Sequence, residues 1–250
     1  MHTGVTSLRV IELEGVTKRY GEKLVLAPTT LTVRPRTCLV LVGPSGCGKS
    51  TLLRLILGLL APDAGRVTVG GVVVTPATVL EVRRRAGYVI QEGGLFPHLT
   101  ANDNVALLAR HLGWNAQRAA DRLAHLAKLV GLDEALLRRY PAEMSGGQKQ
   151  RVGIMRALML DPELLLLDEP MGALDPVVRA RLQKDLKRIF SELGKTAVLV
   201  THSLDEAAYF GDDIALMREG RILQRGSMRE LTEAPADPFV REFVEAHCAA

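Results

Sequence analysis

The residues from Gly43 to Ser50 have the types and the spacing of a loop that binds phosphate. They read GPSGCGKS and lie between the apolar run at 38–42 and a second apolar run. Glycines let backbone N–H groups converge on phosphate oxygens without an obstructing Cβ, and a following helix adds the N–H groups of its first turn. In the pattern G-x-x-x-x-G-K-[ST], Lys49 would reach the β- and γ-phosphates and the Ser50 hydroxyl would bind Mg²⁺.

The alternative is a glycine-rich turn before an ordinary helix. The buried strand predicted before the loop and the helix predicted after it favour the phosphate site. The residues expected to bind nucleotide here are Gly43, Pro44, Ser45, Gly46, Cys47, Gly48, Lys49, Ser50 and Thr51.

Two acids end the apolar run LLLLDE at 164–169. Asp168, at the tip of the predicted strand, is placed to hold Mg²⁺ through a water. Glu169 is then placed to polarise an attacking water as a general base. Taken alone, the pair could equally be solvated carboxylates. Together with the loop at 43–50, it predicts nucleotide hydrolysis.

A third motif, MSGGQKQR, begins at Met144. Ser145 is a good helix N-cap, and a plain cap explains it. A plain cap does not explain Gly146 and Gly147, because each glycine destabilises a helix interior by about 1 kcal/mol. A second anion site explains them, because they bare the N–H groups of a helix start. Lys49 already serves one set of phosphates, so the second site is expected to address a nucleotide on another chain.

Alternating strands and helices around these motifs predict an α/β fold with a parallel sheet. Apolar runs at 38–42, 164–167 and 196–201 are typical of buried strands. Helices rich in Ala, Leu and Arg at 101–110, 116–130 and 133–139 predict a helical subdomain that ends near 144. Other strands are predicted at 8–14, 31–33, 66–74, 87–91, 214–218 and 221–224, and other helices at 51–60, 147–160, 177–193, 204–209, 228–231 and 238–246.

Composition narrows the class of protein. The chain has 250 residues, 47% of them hydrophobic, and a net charge of +4 without blocks of like charge, so a nucleic-acid partner is not expected. Three irregularly spaced cysteines predict neither a disulfide framework nor a zinc site and fit a reducing compartment. No apolar run reaches 18 residues and no secretory signal is present, so a cytoplasmic protein is expected.

The ordered motifs resemble those of ATP-binding-cassette ATPases. Ser145, Gly146, Gly147 and Gln148 match the signature segment of that family. By the same resemblance, Tyr20 stacks on adenine, Gln91 senses Mg²⁺ and the transport partner, residues 173–175 with Asp175 cross a dimer interface, and His202 is the switch histidine near the γ-phosphate. Taken alone, Tyr20 would be interpreted as a half-buried packing residue and His202 as a strand-end histidine bonded to backbone.

The resemblance covers about residues 8–243 and implies a P-loop NTPase (RecA-like) fold. It implies a parallel-sheet core with an antiparallel β subdomain at 8–91 and 161–243, and an inserted helical subdomain carrying the signature helix at 92–160. Its cofactors would be ATP and Mg²⁺, with metal ligands Ser50, Gln91 and Asp168. Catalysis would fall to Glu169, His202 and Gln91, in an ATP-dependent head-to-tail homodimer.

Three kinds of machine remain as alternatives. A kinase or GTPase is disfavoured by the signature, by Glu169 and by the lack of an N-K-x-D motif. A soluble cassette acting on nucleic acid would be expected to carry two cassettes or a coiled coil. The resemblance therefore favours the energy subunit of an importer, peripheral on the inner face of the cell membrane. Its partners would be integral membrane permease subunits and, indirectly, a solute-binding protein.

Within the importers, four stretches are similar to the osmoprotectant or quaternary-amine group. They are GLFPHLT at 94–100, LGW at 112–114, MRALMLDP at 155–162 and AAYFGD at 207–212. Trp114 and the methionines could equally be core residues, and residues 92–93 depart from the pattern expected after Gln91. Glycine betaine or choline is therefore the expected solute, with amino acids, polyamines or sulfonates as the alternative.

Overall fold

The computed structural model of the protein describes residues 10–91, 93–172 and 174–248. The chain divides into two compact units, the first formed by residues up to 83 and from 196, the second by residues 84–195. The helical subdomain predicted at 92–160 falls within the second unit, and its boundaries stay a prediction. The predicted strand start at Leu8, and the motif positions Glu92 and Ala173, lie outside the described residues.

The strands of the described residues, in chain order, are β1 (Ile11–Tyr20), β2 (Lys23–Val33), β3 (Cys38–Val42), β4 (Ala64–Val69), β5 (Val72–Val73), β6 (Ala86–Val89), β7 (Leu164–Asp168), β8 (Thr196–Thr201), β9 (Asp213–Arg218) and β10 (Arg221–Gly226). The α-helices are α1 (Lys49–Ile56), α2 (Val79–Arg85), α3 (Ala101–His111), α4 (Ala116–Val130), α5 (Gly146–Leu158), α6 (Pro176–Leu193), α7 (Leu204–Phe210), α8 (Met228–Glu233) and α9 (Pro238–Cys248), with 3₁₀ turns at Glu134–Arg138 and Pro141–Glu143.

The first unit contains two sheets. One is antiparallel, with strand order β2-β1-β4-β5. It buries one face through the alternation that begins at Ile11 and Leu13, and it is the antiparallel β layer that the resemblance implied. In the other, β3 lies between β8 and β9 and is parallel to both, and β10 closes the edge as a hairpin with β9. β3 and β8 are buried throughout, as their continuous apolar sequences predicted.

The second unit contains the parallel pair β6–β7 and the helices α3 to α6. Helix α4 has the predicted bounds because strong caps delimit it: the Asn115 side chain accepts the Arg118 N–H over 2.8 Å, and Gly131 takes the left-handed conformation. The segment predicted as a helix at 133–139 is a 3₁₀ turn at Glu134–Arg138. No helix among the described residues is long and apolar enough to cross a membrane.

Candidate nucleotide-binding and hydrolysis site

The turn after β3 has a backbone that only glycine accommodates. Gly43 has a φ of 148°, and a Cβ there would lie 2.1 Å from the carbonyl oxygen of Met217. Gly48 has a φ of 106°, and its Cβ would lie 2.9 Å from the Val25 carbonyl oxygen. Both distances are shorter than nonbonded contact allows, so an alanine at either position would force the turn open. Gly43 and Gly48 are thus required both by their backbone conformation and by the close approach of Met217 and Val25.

The Lys49 side chain folds back into the loop and hydrogen-bonds to its backbone. Its ammonium Nζ donates to the carbonyl oxygens of Gly43 over 2.7 Å and of Pro44 over 2.9 Å, and the residue is only 4% exposed. Helix α1 begins at Lys49, its first turn carries no acid, and its N-cap is a glycine. The helix start therefore keeps its positive end, next to a buried cation. This arrangement favours an anion over the loop.

Cys47 lies inside the same loop and is buried. Burial raises the pKa of its thiol, and the nearby Lys49 ammonium, 3.8 Å from Sγ, partly offsets that rise. The thiol is therefore protonated at neutral pH and acts as a small apolar side chain.

The turn between β9 and β10 contacts the phosphate loop and hydrogen-bonds to it. Gly220 donates its N–H to the Cys47 carbonyl oxygen over 3.0 Å and accepts the Ala27 N–H over 2.9 Å. A Cβ on Gly220 would lie 2.5 Å from the Val25 carbonyl oxygen. The sequence predicted a turn at Glu219–Gly220, but no pattern in it indicated that the turn holds a loop some 170 residues earlier.

His202 lies at the same edge of the sheet as the loop. Val42 and Thr201 pair in register across the parallel strands β3 and β8, and Gly43 and His202 are the next residue of each. The His202 side chain is exposed, between the end of β8 and the start of α7. Parallel strands thus bring together two motifs that are far apart in the chain.

Tyr20 ends strand β1 and is 47% exposed. The Lys18 ammonium lies 6.0 Å from the centre of its ring. An aromatic ring this exposed has a face available for stacking, as expected for an adenine contact.

In the second unit, Asp168 ends strand β7, and Gln91 follows the neighbouring parallel strand β6. Val89 pairs with Leu167, so the ends of β6 and β7 lie side by side. Asp168 is buried, and its Oδ2 accepts the Tyr88 hydroxyl over 3.3 Å. Gln91, two residues past β6, is exposed. An oriented, buried carboxylate at a strand end suits a metal ligand. The contact with Tyr88 was not predicted.

Glu169 adopts a left-handed backbone with a φ of 45°, which is uncommon for a residue other than glycine. Strain of this kind costs about 1–3 kcal/mol and is found most often at functional sites. Its side chain borders a cavity of about 220 Å³. The other residues around this cavity are Gly146, Lys149, Gln150, Pro170, Gly172 and Leu174. The cavity therefore joins the expected base to the first turn of α5.

The signature residues form a reciprocal helix cap. Ser145 Oγ accepts the Gln148 N–H over 3.3 Å, and Gln148 Oε1 accepts the Ser145 N–H over 2.9 Å. A Cβ on Gly147 would lie 2.4 Å from Cγ1 of Val178, so packing alone requires that glycine. The inference that only an anion site explains both glycines was too strong. For Gly146 it stays a prediction: a Cβ there would make only an ordinary 3.6 Å contact with Leu174, so packing does not require that glycine.

Asp175 caps helix α6. One carboxylate oxygen accepts the N–H groups of Val177 over 3.1 Å and Val178 over 3.0 Å. Because Val178 also packs against Gly147, the segment after Glu169 and the signature helix are tied together through α6. The assignment of Asp175 to a dimer interface stays a prediction.

Comparisons with known proteins agree with this geometry. The profile of the family described as ABC transporter matches residues 26–172. The choline transport ATP-binding protein OpuBA of Bacillus subtilis is 42% identical over 94% of this chain, and the Fe(3+) ions import ATP-binding protein FbpC of Brucella abortus is 45% identical over 94%. The chain spans 62% of the length of OpuBA and 65% of that of FbpC.

A solved structure gives the same result for the fold. The dimeric structure of MJ0796, a bacterial ABC transporter cassette, superposes with a TM-score of 0.81 at 33% identity, covering 88% of this chain and 99% of that one. The family match spans more than half of the chain and contains the phosphate loop and Glu169. This protein belongs to the ABC transporter family.

Proposed function

We propose that this protein binds and hydrolyses ATP and so drives a membrane importer. The observation that carries the proposal is the loop after β3, in which the buried Lys49 ammonium and the uncapped start of α1 lie inside a curl that only glycine permits. Family membership supports ATP as the nucleotide. Lys49 then contacts the β- and γ-phosphates, and Tyr20 stacks on the adenine.

The donor set also fits Mg²⁺, which prefers oxygen ligands. We assign to it the Ser50 hydroxyl, Gln91 and the Asp168 carboxylate, whose orientation by Tyr88 suits a metal ligand. When bound, Mg²⁺ neutralises charge that builds up on the phosphates. Glu169 accepts the proton of the attacking water, and His202 donates a hydrogen bond toward the γ-phosphate.

We further propose that two copies assemble head to tail with ATP between them. The signature helix start, at Gly146, then faces the phosphates held by the other copy. The dimeric MJ0796 cassette supports this assembly. Asp175, exposed at the start of α6, would lie at the interface.

The segment 93–100 is our candidate for the permease contact. It exposes Phe96, which is 44% accessible, while its backbone is held rigidly by the buried side chain of Asn104. That side chain accepts the Phe96 N–H over 2.8 Å and donates to the carbonyl oxygens of Phe96, Leu99 and Thr100 over 3.0–3.1 Å. A fixed backbone that presents an aromatic side chain suits a protein partner. Membrane association, and hence a location on the inner face of the cell membrane, would come through that permease and not through this chain.

Osmoprotectant uptake, of choline or glycine betaine, is our proposal for the transported solute. Choline is the solute that OpuBA's name gives, and the stretches at 94–100 and 207–212 favour that group. FbpC, named for Fe(3+) import, has a comparable identity, so overall similarity does not discriminate the two solutes. The solute is chosen by a solute-binding partner, not by the ATPase.

The nucleotide proposal is tested with Lys49→Ala and a fluorescent ATP analogue. The unchanged protein should bind the analogue and release phosphate with MgATP, whereas Lys49→Ala should lose most binding while keeping its circular dichroism spectrum. Equal binding by the two proteins would overturn the nucleotide proposal.

The solute proposal is tested by uptake of choline, glycine betaine, an amino acid and Fe(3+) in cells that express the importer with and without this subunit. Uptake of only the amino acid or only Fe(3+) would overturn the solute class alone.

A further inference from the structure

The two neighbours of His202 in the chain, Thr201 and Ser203, are joined by hydrogen bonds to each other and to Glu206. The Thr201 hydroxyl Oγ1 donates to Oε2 of Glu206 over 2.6 Å and accepts the N–H of Ser203 over 3.0 Å. Ser203 Oγ in turn accepts the N–H of Glu206 over 3.3 Å. The backbone on both sides of His202 is thus tied to one carboxylate.

Two of the three hydrogen-bonded residues, Thr201 and Glu206, are buried, in contrast to His202. Thr201 is 2% exposed and Glu206 5%, whereas His202 is exposed. A buried carboxylate is costly unless it is hydrogen-bonded, and here the Thr201 hydroxyl donates to it. The cap of α7 is supplied by Ser203, whose side chain accepts the Glu206 N–H.

The position of these hydrogen bonds matches the position of the proposed chemistry. Thr201 pairs with Val42, the last residue before the phosphate loop. A shift of the backbone at Thr201 or Ser203 would therefore move His202 relative to the loop. Misplacement of a catalytic group by about 1 Å can cost about a hundredfold in rate.

We propose that Thr201 and Glu206 are positioning residues that fix the backbone of His202 against the phosphate loop, and that they act on hydrolysis through His202. This rests on the proposed function, in which His202 serves the γ-phosphate. Neither side chain is assigned to substrate. Their effect is expected in kcat, with nucleotide binding left nearly unchanged.

The chain offers a matched control for Thr201 at the other end of the same strand. Thr196 is 3% exposed, and its Oγ1 accepts one backbone N–H, from Arg36, over 2.9 Å. Thr196→Val and Thr201→Val each remove, from strand β8, one buried hydroxyl that accepts a backbone N–H. Only Thr201 is adjacent to His202.

The experiment measures kcat and KM for MgATP in the full chain. Thr201→Val should lower kcat by about tenfold with KM within about twofold, as expected for loss of an interaction worth one hydrogen bond. Thr201→Ser should restore most of the rate, and Thr196→Val should leave kcat unchanged. An equal loss of kcat in Thr196→Val and Thr201→Val would overturn the proposal, because both would then report general damage to the strand.

A double variant tests whether the effect passes through His202. In the His202→Ala background, Thr201→Val should lower the residual rate by less than about twofold, since residues that act as a unit are not additive. A further tenfold loss there would overturn the proposal.

If Thr201→Val does not fold, the variants Glu206→Ala and Glu206→Gln provide the test instead. Glutamine keeps an acceptor for the Thr201 hydroxyl, so Glu206→Gln should retain more of the rate than Glu206→Ala. Equal rates in the two variants would overturn the proposal.

The two levels of inference fail separately. If His202→Ala leaves kcat unchanged, the role given to His202 is wrong, and the positioning role falls with it. If His202→Ala lowers kcat by 10²–10⁴-fold, roughly the span for a positioned catalytic group, and Thr201→Val does not lower it, only the positioning role is wrong.

Discussion

Arg156 donates from Nη2 to the carbonyl oxygen of Gly93 over 2.9 Å, and from Nη1 to that of Gly94 over 2.8 Å. Burial lowers the pKa of this guanidinium, yet it stays charged because the pKa of arginine is so high. Gly93 also lies against Gly153, where a Cβ would be 3.2 Å from Gly93 Cα. The segment that follows Gln91 is thus fastened to the signature helix at two points.

Removal of this fastening should loosen the segment 93–100. Arg156→Ala should lower the protection of the backbone amides between 94 and 99 against hydrogen exchange and destabilise the protein by about 1–3 kcal/mol, because the buried Gly93 loses the donor to its carbonyl group and the exposed Gly94 loses a second hydrogen bond. Arg110→Ala is the control, since it removes an equal charge from a surface pair with Asp103 and should cost less than about 1 kcal/mol. Equal exchange rates at 94–99 in the two variants would contradict the fastening.

The two signature glycines should respond differently to alanine. Gly147→Ala forces a Cβ onto Val178 and should destabilise the protein by about 1–3 kcal/mol, as overpacking does. The added change Val178→Ala should relieve the clash in thermal melts. Gly146→Ala makes an ordinary contact with Leu174, so its melting temperature should not fall while ATPase activity does. Full activity in Gly146→Ala would argue against a phosphate role for that helix start.

Glu169→Gln should separate nucleotide binding from hydrolysis. The amide cannot accept a proton from water, so phosphate release should fall by about 10²–10⁴-fold. ATP then persists between the proposed subunits, and light scattering should detect a dimer with MgATP and a monomer without nucleotide. Glu163→Gln, at an exposed position before β7, is the control and should behave as the unchanged protein. A monomeric Glu169→Gln variant at saturating MgATP contradicts the head-to-tail assembly.

A charge in the exposed loop should uncouple the protein from its permease. Leu95 lies within the segment 93–100 and is half-buried. Leu95→Glu should leave the isolated protein able to hydrolyse ATP, but it should reduce solute uptake in the assembled importer. Leu80→Glu, on the exposed surface of α2 in the other unit, controls for charge and exposure. Normal uptake with Leu95→Glu would exclude this segment as the docking surface.

Asp161 should make stability depend on pH in the acid range. Its hydrogen bond from the Lys195 ammonium, over 2.9 Å, is the main cause that lowers the pKa of this carboxyl, with Arg122 contributing less. A folded pKa below the unfolded value of about 3.9 contributes stability above that value, and the contribution is lost as pH falls through the folded pKa. Asp161 is largely exposed, so Asp161→Asn should cost less than about 1 kcal/mol in urea melts at pH 7. The cost should shrink as pH falls below the unfolded value and vanish once pH lies below the folded pKa, and a cost that does not change with pH in the acid range contradicts the assignment.

The parts of the fold that depend on local sequence were predictable. β3, α4 and β8 have the predicted bounds, because continuous apolar runs and the caps at Asn115 and Gly131 mark their ends. Helix α2 was missed since it buries only Val82 and so lacks an apolar stripe. Strands β1 and β2 are longer than predicted, because their register shifts interrupt the alternation that signals a strand.

The candidate site was predictable at the level of residue types but not of contacts. Gly43 lies against Met217 and Gly147 lies against Val178, and in each pair the two residues are far apart in sequence. Met217 and Val178 belong to no recognisable motif, so the sequence did not indicate these contacts. No pattern in the sequence indicated that Arg156 hydrogen-bonds to the segment after Gln91. Such contacts follow from tertiary packing and not from periodicity.

The support that the β9–β10 turn gives the phosphate loop has a consequence for synthesis of the protein. Gly220 donates to Cys47, and Met217 lies against Gly43, so contacts that hold the loop are missing until residues 217–220 have been synthesised. Since domains emerge from the ribosome N-terminus first, the nascent chain carries its whole phosphate motif long before those contacts can form. We therefore expect a ribosome-bound chain that stops before residue 220 to bind ATP more weakly than the full chain does.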